Sequence, residues 1–155
     1  MKIALAADHA GLATKQRLMA SLQGAGHEVL DRGTTGTDSV DYPDFASIVA
    51  HDVAEGRAER GILVCGTGIG MSIAANKVAG VRAAKVNDPY EATMSRQHND
   101  ANVLCLGSRV LDSSVVDEIV RNFIGTAFEG GRHARRVAKM MALESAPQAG
   151  VPPCG

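Results

Sequence analysis

The chain has 155 residues, which is long enough for one domain with a buried core. Hydrophobic residues make up 45% of it and charged residues 21%, as in an ordinary globular protein, while aromatic residues reach only 3%. The formal net charge of −1 argues against a general nucleic-acid-binding or membrane-surface protein.

The three cysteines, Cys65, Cys105 and Cys154, form an odd set without the spacing of a disulfide framework, so we expect free thiols in a reducing compartment. The first residues, MKIALAADHAG, hold a short apolar run that ends at Asp8, unlike a secretion signal. No apolar run approaches the roughly 20 residues that span a bilayer. We therefore expect a cytoplasmic protein with no membrane or nucleic-acid partner.

Apolar runs of strand length alternate along the chain with amphipathic segments of helix length. In chain order the predicted elements are strand 2–7, helix 12–22, strand 28–31, helix 43–53, strand 62–65, helix 69–77, strand 82–86, helix 89–98, strand 103–107, helix 115–124 and helix 132–143. Such alternation predicts a parallel sheet with helices on both faces. Residues 1–144 are expected to form one domain, and the Pro-, Gly- and Ala-rich segment 145–155 a disordered tail in which Cys154 is incidental.

Polar side chains follow several of the predicted strands, at the point where each strand ends. They are Asp8-His9, Cys65, Asn87-Asp88 and Ser108-Arg109. Ligands of parallel α/β sheets bind outside the carboxyl ends of the strands. The sequence therefore predicts a small-molecule site at this edge of the sheet.

The segment 61–76, GILVCGTGIGMSIAAN, is typical of a buried strand, a tight glycine loop and the start of a helix. It is not a Walker loop, because no Lys-Ser/Thr pair follows the last glycine, and it is not a dinucleotide fingerprint, because its glycines alternate as G-x-G-x-G. Backbone N–H groups at such a helix start bind anions. The alternative is a tight turn that serves packing alone.

Cys65, at the end of the predicted strand, has several possible roles. A phosphatase loop would need an arginine at Met71, a redox pair would need a cysteine at Gly68, and no Cys/His cluster suggests a metal site. Two interpretations remain open: an inert core cysteine, and a thiol that transfers protons beside an anion-stabilising loop.

Arg132 and Arg136 lie one helical turn apart in the densest basic segment, and with Arg109 they are candidates for a phosphate site. The alternative is a solvated helix face. Taken alone, Asp8 is as consistent with a helix cap as with a binding role. Taken alone, His98 is consistent with a side chain whose charge is favourable in the last turn of a helix.

Five segments together resemble the type B ribose-5-phosphate isomerases, which are grouped with the galactose-6-phosphate and allose-6-phosphate isomerases. These segments are 7–11 (ADHAG), 41–43 (DYP), 65–77 (CGTGIGMSIAANK), 95–110 (SRQHNDANVLCLGSRV) and 129–137 (EGGRHARRV). The resemblance covers residues 1–144. It implies a three-layer α/β/α fold with a five-stranded parallel sheet, and a homodimer or tetramer with active sites at the dimer interface.

The resemblance further implies interconversion of D-ribose 5-phosphate and D-ribulose 5-phosphate through an enediolate, in the pentose phosphate pathway, without metal or cofactor. Cys65 would be the base, since the position used by a glutamate in another branch of the family is Met71 here. Thr67 and His98 would open the furanose ring, and Asn99 would hold the substrate.

The resemblance also assigns the remaining contacts. The enediolate oxygen would be held by backbone N–H groups of Gly66, Gly68, Ile69, Gly70, Met71 and Ser72. Sugar hydroxyls would bind Asp8 and Tyr42, and the phosphate would bind His9, Arg109, Arg132 and Arg136. The segment at His98 and Arg109 would reach into the partner subunit's site. Two alternatives are an isomerase of another phosphosugar (galactose 6-phosphate, allose 6-phosphate or a tetrose phosphate) and a non-catalytic sugar-phosphate-binding module.

Overall fold

Strands and helices alternate along residues 1–145, the part of the chain that the computed structural model describes. In chain order they are β1 (Lys2–Ala7), α1 (Leu12–Gly24), β2 (Glu28–Asp31), α2 (Tyr42–Ala54), β3 (Arg60–Cys65), α3 (Ile69–Ala75), β4 (Ala83–Lys85), α4 (Pro89–Asn99), β5 (Val103–Gly107), α5 (Ser113–Gly125) and α6 (Arg132–Ala142), followed by a 3-10 turn at Leu143–Ser145. Apart from Ser145, the tail predicted at 145–155 lies outside the described residues.

The strands form one five-stranded sheet in the order β2-β1-β3-β5-β4, and every pairing is parallel. Side chains alternate between its two faces. Ile3, Leu5 and Ile62 belong to a core with α1, α4 and α5, whereas Ala4 and Leu63 belong to a second core with α2 and α3. Helices thus cover both faces, which confirms the predicted three-layer α/β/α fold.

Element boundaries differ from the predicted ones by a few residues, and Asn76 explains one difference. Helix α3 ends at Ala75 because the Asn76 side-chain amide donates to the carbonyls of Ser72 and Ala83, at 2.9 Å each, and its oxygen accepts the Ala83 N–H at 2.8 Å. The same residue therefore ends the helix and begins the short edge strand β4.

Helix α6 is unusual because His133 is the only one of its 11 residues that is buried. An amphipathic helix normally buries its apolar stripe against a neighbour. Met140 remains 39% exposed, so this face of α6 is incompletely covered within the described chain. No helix among residues 1–145 is both long enough and apolar enough to cross a bilayer.

Candidate active site

The glycine loop joins β3 to α3 as the sequence predicts. Gly68 has a φ of 79°, a left-handed conformation that favours glycine. A Cβ at this position would also lie 3.0 Å from the backbone carbon of Leu106. A Cβ at Gly70 would lie 2.6 Å from the ring of Tyr42. Glycine is therefore required for close packing on both sides of the loop.

The Cys65 sulfur faces this loop. Cys65 is 5% exposed, and its Sγ accepts a hydrogen bond from the N–H of Gly68 at 3.1 Å. Cys105 differs, because complete burial in β5 raises the pKa of its thiol far above the ordinary value. Of these two thiols, Cys65 is the one in contact with the glycine loop.

Backbone N–H groups at the start of α3 directly follow the glycine loop. Ser72 already donates its N–H to the carbonyl of Gly68 at 3.1 Å, so it is engaged within the helix. The groups of Ile69, Gly70 and Met71 belong to the first turn, which has no intrahelical acceptors. Ile69 makes a long contact of 3.4 Å to the Thr67 hydroxyl. Residues 69–71 are thus better placed than Ser72 to donate to an oxyanion.

The ends of β1, β3 and β5 meet next to Cys65, as predicted for the carboxyl edge of the sheet. Ser108 donates its N–H to the Cys65 carbonyl at 2.8 Å and its hydroxyl to the Ala10 carbonyl at 2.9 Å. Arg109 donates its N–H to the Gly66 carbonyl at 3.0 Å. Its side chain lies 3.5 Å or slightly more from the position of a Cβ at Gly66. Arg109 therefore lies over the glycine loop of its own chain.

Asp8 and His9 border the same edge. Asp8 is buried, and its Oδ1 accepts the N–H groups of Ala10 and Gly11 at 2.9 and 3.0 Å. Both bonds end on Oδ1, so neither occupies Oδ2. Nδ1 of His9 accepts the N–H of Val40 at 3.3 Å. Asp8 thus orders the turn before α1 and still presents a carboxylate oxygen.

Asn87-Asp88, which the strand pattern placed with these residues, serves α4 instead. The Asp88 carboxylate accepts the N–H of Glu91 at 2.8 Å as the helix cap. The N–H of Asn87 donates to the Glu91 carboxylate at 2.6 Å.

A second group of predicted residues lies at the end of α4 and on α6. A cavity of about 220 Å³ is lined by His98, Asn99, His133, Arg136, Val137 and Met140. None of these residues belongs to the glycine loop. Nε of Arg132 lies 3.4 Å from Nε2 of His133, which brings a second guanidinium to the same place. The structure therefore divides the predicted site into two groups.

Sequence reasoning missed Glu129 and His133 as members of the second group. With His98 they form a cluster whose nitrogen and oxygen atoms all lie within 4.8 Å of one another. That spacing is compatible with a cation, but the positive charges of Arg132 and Arg136 oppose one. Guanidinium groups next to imidazoles suit a phosphate better. No sequence pattern indicated this cluster, because His98 is distant along the chain from Glu129 and His133.

Comparison with known proteins identifies the family to which the chain is similar. The model of the family described as Ribose/Galactose Isomerase matches residues 3–140, which include all five segments of the resemblance. Ribose-5-phosphate isomerase B of Escherichia coli strain K12 is 50% identical over 143 residues, 92% of this chain and 96% of that protein. The solved structure of ribose-5-phosphate isomerase B from Clostridium thermocellum is 50% identical with a TM-score of 0.92, covering 94% of this chain and 98% of that one.

A further solved structure contains a ligand. Ribose-5-phosphate isomerase B from Mycoplasma genitalium with bound ribulose-5-phosphate is 44% identical with a TM-score of 0.91, over 94% of this chain and 97% of that one. The match spans nearly all of each chain, and the segments that carry it contain the thiol, the glycine loop and the basic helix. The chain therefore belongs to the ribose/galactose isomerase family.

Proposed function

We propose that this protein is an aldose–ketose isomerase that interconverts D-ribose 5-phosphate and D-ribulose 5-phosphate. The observation that carries the proposal is the hydrogen bond from the N–H of Gly68 to the Cys65 sulfur, which places this thiol beside the glycine loop. The relatives named ribose-5-phosphate isomerase B and the neighbour with bound ribulose-5-phosphate support this substrate. Cys65 and the glycine loop lie at the carboxyl end of β3, next to the end of β5 in the sheet.

The chemistry is the movement of a proton between neighbouring carbons of the open-chain sugar. Cys65 removes the proton from C2, the electron pair forms the C1–C2 double bond of the enediolate, and the proton returns to C1. In the same conversion the hydroxyl proton leaves O2 and O1 becomes a hydroxyl. Removal of one preorganised N–H donor at such an oxyanion typically costs about 3–4 kcal/mol. A positioned base contributes about 10²–10⁴-fold.

Ring opening and phosphate binding use the other predicted residues. Thr67 and His98 are assigned to opening of the furanose ring, and Asn99 holds the substrate beside His98. The phosphate binds to the positive side chains at the rim, namely His9, Arg109, Arg132 and Arg136. Sugar hydroxyls bind Asp8 and Tyr42. Phosphate binding energy then orients carbons that lie several bonds away.

We propose that two copies of the chain complete each active site. The cavity that His98 and Arg136 line contains no residue of the glycine loop, which supports an arrangement in which the loop of one subunit faces α6 of the other. Ile69 and Ile73, next to the loop, are 54% and 57% exposed, and α6 is largely uncovered. Burial of these apolar side chains would drive a symmetric dimer. The free thiols of Cys65 and Cys105 support a cytoplasmic location.

The direct test is conversion of ribose 5-phosphate to ribulose 5-phosphate by the purified protein with EDTA present. The expected result is turnover of ribose 5-phosphate that exceeds turnover of galactose 6-phosphate, allose 6-phosphate and erythrose 4-phosphate. Preference for one of those sugars would assign the protein to a sister activity. Binding of ribose 5-phosphate without conversion of any sugar would make it a binding module.

A further inference from the structure

Three ionisable side chains meet where α4 ends and α6 begins. The rings of His98 and His133 are stacked, with centroids 4.2 Å apart and planes 2° from parallel. Oε2 of Glu129 lies 3.7 Å from Nε2 of His98 and 3.5 Å from Nε2 of His133. Two imidazoles therefore share one carboxylate, although His98 is distant in the sequence from Glu129 and His133.

The backbone holds the carboxylate in this position. The N–H of Glu129 donates to the carbonyl of Gln97, the residue directly before His98, at 3.1 Å. The N–H of His133 donates to the carbonyl of Gly130 at 3.0 Å, in a turn where Gly130 has a φ of 71°. A positive φ favours glycine, so the local sequence is suited to this turn. A main-chain bond thus holds Glu129 beside the end of α4, and the local turn at Gly130 leads from Glu129 to His133.

Several charged groups surround His133, and Glu129 is one of them. His133 is 4% exposed, and burial, followed by the charge of His98, holds the pKa of its imidazole below the ordinary value. A neutral His133 ring can stack on His98 without repulsion between two positive charges. Arg132 and Arg136 add positive charge nearby, and Glu129 opposes it. The Glu129 carboxylate is therefore the acidic member of this cluster.

We propose that Glu129 is a positioning residue for His98, and that the stacked ring of His133 fixes the plane of the His98 imidazole. This inference rests on the proposed function, in which His98 takes part in opening the furanose ring. In that step the C1–O4 bond breaks, O4 gains a proton and the O1 hydroxyl loses one to form the aldehyde. A carboxylate beside Nε2 selects that nitrogen as the protonated one and orients the ring.

The separation of 3.7 Å between Glu129 and His98 is longer than a hydrogen bond. Catalytic hydrogen bonds of unliganded enzymes are often long and shorten when substrate binds. Glu129 is 59% exposed and His98 39%, so both side chains have room to move toward each other. We expect the separation between Glu129 and His98 to shorten in the same way when a phosphosugar binds.

The first test measures the His98 ring itself. Nitrogen-15 NMR at alkaline pH, where the imidazole is neutral, reports which ring nitrogen carries the proton. In the wild-type protein the proton is expected on Nε2, and in Glu129→Ala its population is expected to move toward Nδ1. An unchanged distribution in the variant overturns the proposal. This readout does not need isomerase activity, so it separates failure of the positioning role from failure of the proposed function.

The second test separates ring opening from proton transfer. Conversion of ribose 5-phosphate requires ring opening, whereas exchange of the C1 hydrogen of ribulose 5-phosphate with D2O does not, because its O5 carries the phosphate and cannot close a furanose ring. Glu129→Ala is expected to lower conversion about 10-fold with KM changed less than about twofold, and to leave exchange unchanged. Glu118→Ala, which removes an exposed carboxylate from α5, is the matched control and should change neither.

An equal loss of conversion and exchange in Glu129→Ala would mark a merely structural role and would overturn the proposal. If the wild-type protein exchanges and converts no ribose 5-phosphate, the proposed function fails, while the NMR measurement still decides whether Glu129 orients His98.

Discussion

Two thiols of the sheet, Cys65 and Cys105, have different surroundings. Cys105 lies in the middle of β5, opposite Leu63 of β3, whereas Cys65 lies at the strand end, opposite Gly107. The N–H of Gly68 reaches the Cys65 sulfur, while burial raises the pKa of the Cys105 thiol. A shift of two residues along the sheet thus separates an inert thiol from one that faces a loop.

Replacement of the Cys65 thiol should abolish proton transfer. In Cys65→Ala, incorporation of deuterium at C1 of ribulose 5-phosphate should fall by about 10²–10⁴-fold or more, because no base replaces the sulfur. Binding of ribose 5-phosphate, followed by calorimetry, should persist. Cys105→Ala is the matched control and should keep the exchange rate of the wild type. Full exchange in Cys65→Ala would show that another group is the base.

A methyl group at Gly68 should destabilise the protein and displace the loop. Gly68→Ala combines a positive φ with a contact of 3.0 Å to the Leu106 backbone, so it should cost about 1–2 kcal/mol of unfolding free energy. Gly24→Ala is the control, since nothing lies within 4 Å of a Cβ there. Denaturant unfolding measures both variants. Equal stability of the two would contradict the requirement for glycine in the loop.

At the scale of elements, one buried carboxylate joins α2 to the segments around it. The Asp52 carboxylate on α2 accepts hydrogen bonds from the Nε–H groups of Arg32, which follows β2, at 2.6 Å and of Arg57 at 2.7 Å. Burial by itself raises the pKa of Asp52, but the hydrogen bonds from Arg32 and Arg57 outweigh it and the net pKa lies below the ordinary 3.8. The folded state therefore favours the charged carboxylate.

The Asp52 network predicts a particular dependence of stability on pH. Asp52→Asn should lower the unfolding free energy by about 1–3 kcal/mol near pH 7, because it removes two charged hydrogen bonds from a buried group. Because the folded pKa is depressed, this contribution is complete above pH 3.8 and is lost as the pH falls below it. Urea unfolding of both proteins at pH 7 and at about pH 3 measures the difference. A difference in unfolding free energy between the two proteins that is larger at about pH 3 than at pH 7 would contradict a lowered pKa of Asp52.

At the scale of the whole molecule, the two groups of site residues lie on different elements of the chain. Cys65 and the glycine loop lie between β3 and α3, while His98 and the arginines lie on α4 and α6. The uncovered face of α6 and the exposed isoleucines of α3 support a second copy as the missing neighbour. A symmetric dimer would then contain two identical composite sites.

Mixing of two inactive variants tests this arrangement. Cys65→Ala and His98→Asn should each be inactive in converting ribose 5-phosphate, but a heterodimer contains one site with both residues intact and one with neither. Random reassembly after mild denaturation should therefore recover about one quarter of the wild-type activity. No recovery, with dimers present by light scattering, would place Cys65 and His98 of one chain in the same site.

The local pattern of the sequence determined the order of strands and helices, the glycine loop and the position of Cys65 at a strand end. These features depend on residues close together in the chain, namely the apolar spacing of 62–65 and the alternating glycines that follow. The five blocks of family resemblance extended this to the fold and to the substrate class. The end of α3 was predicted two residues too late, because the Asn76 side chain bonds to Ala83 of another element.

Tertiary structure alone decided which polar residues meet. The sequence placed Asn87-Asp88 with the strand-end residues, but they cap α4, and it gave no reason to single out Glu129. Glu129 approaches His98 only because α4 and α6 pack together and a main-chain bond joins Glu129 to Gln97. The spacing of apolar residues predicts whether a segment forms a helix or a strand. A contact between two distant segments depends instead on the free energy of packing the whole chain.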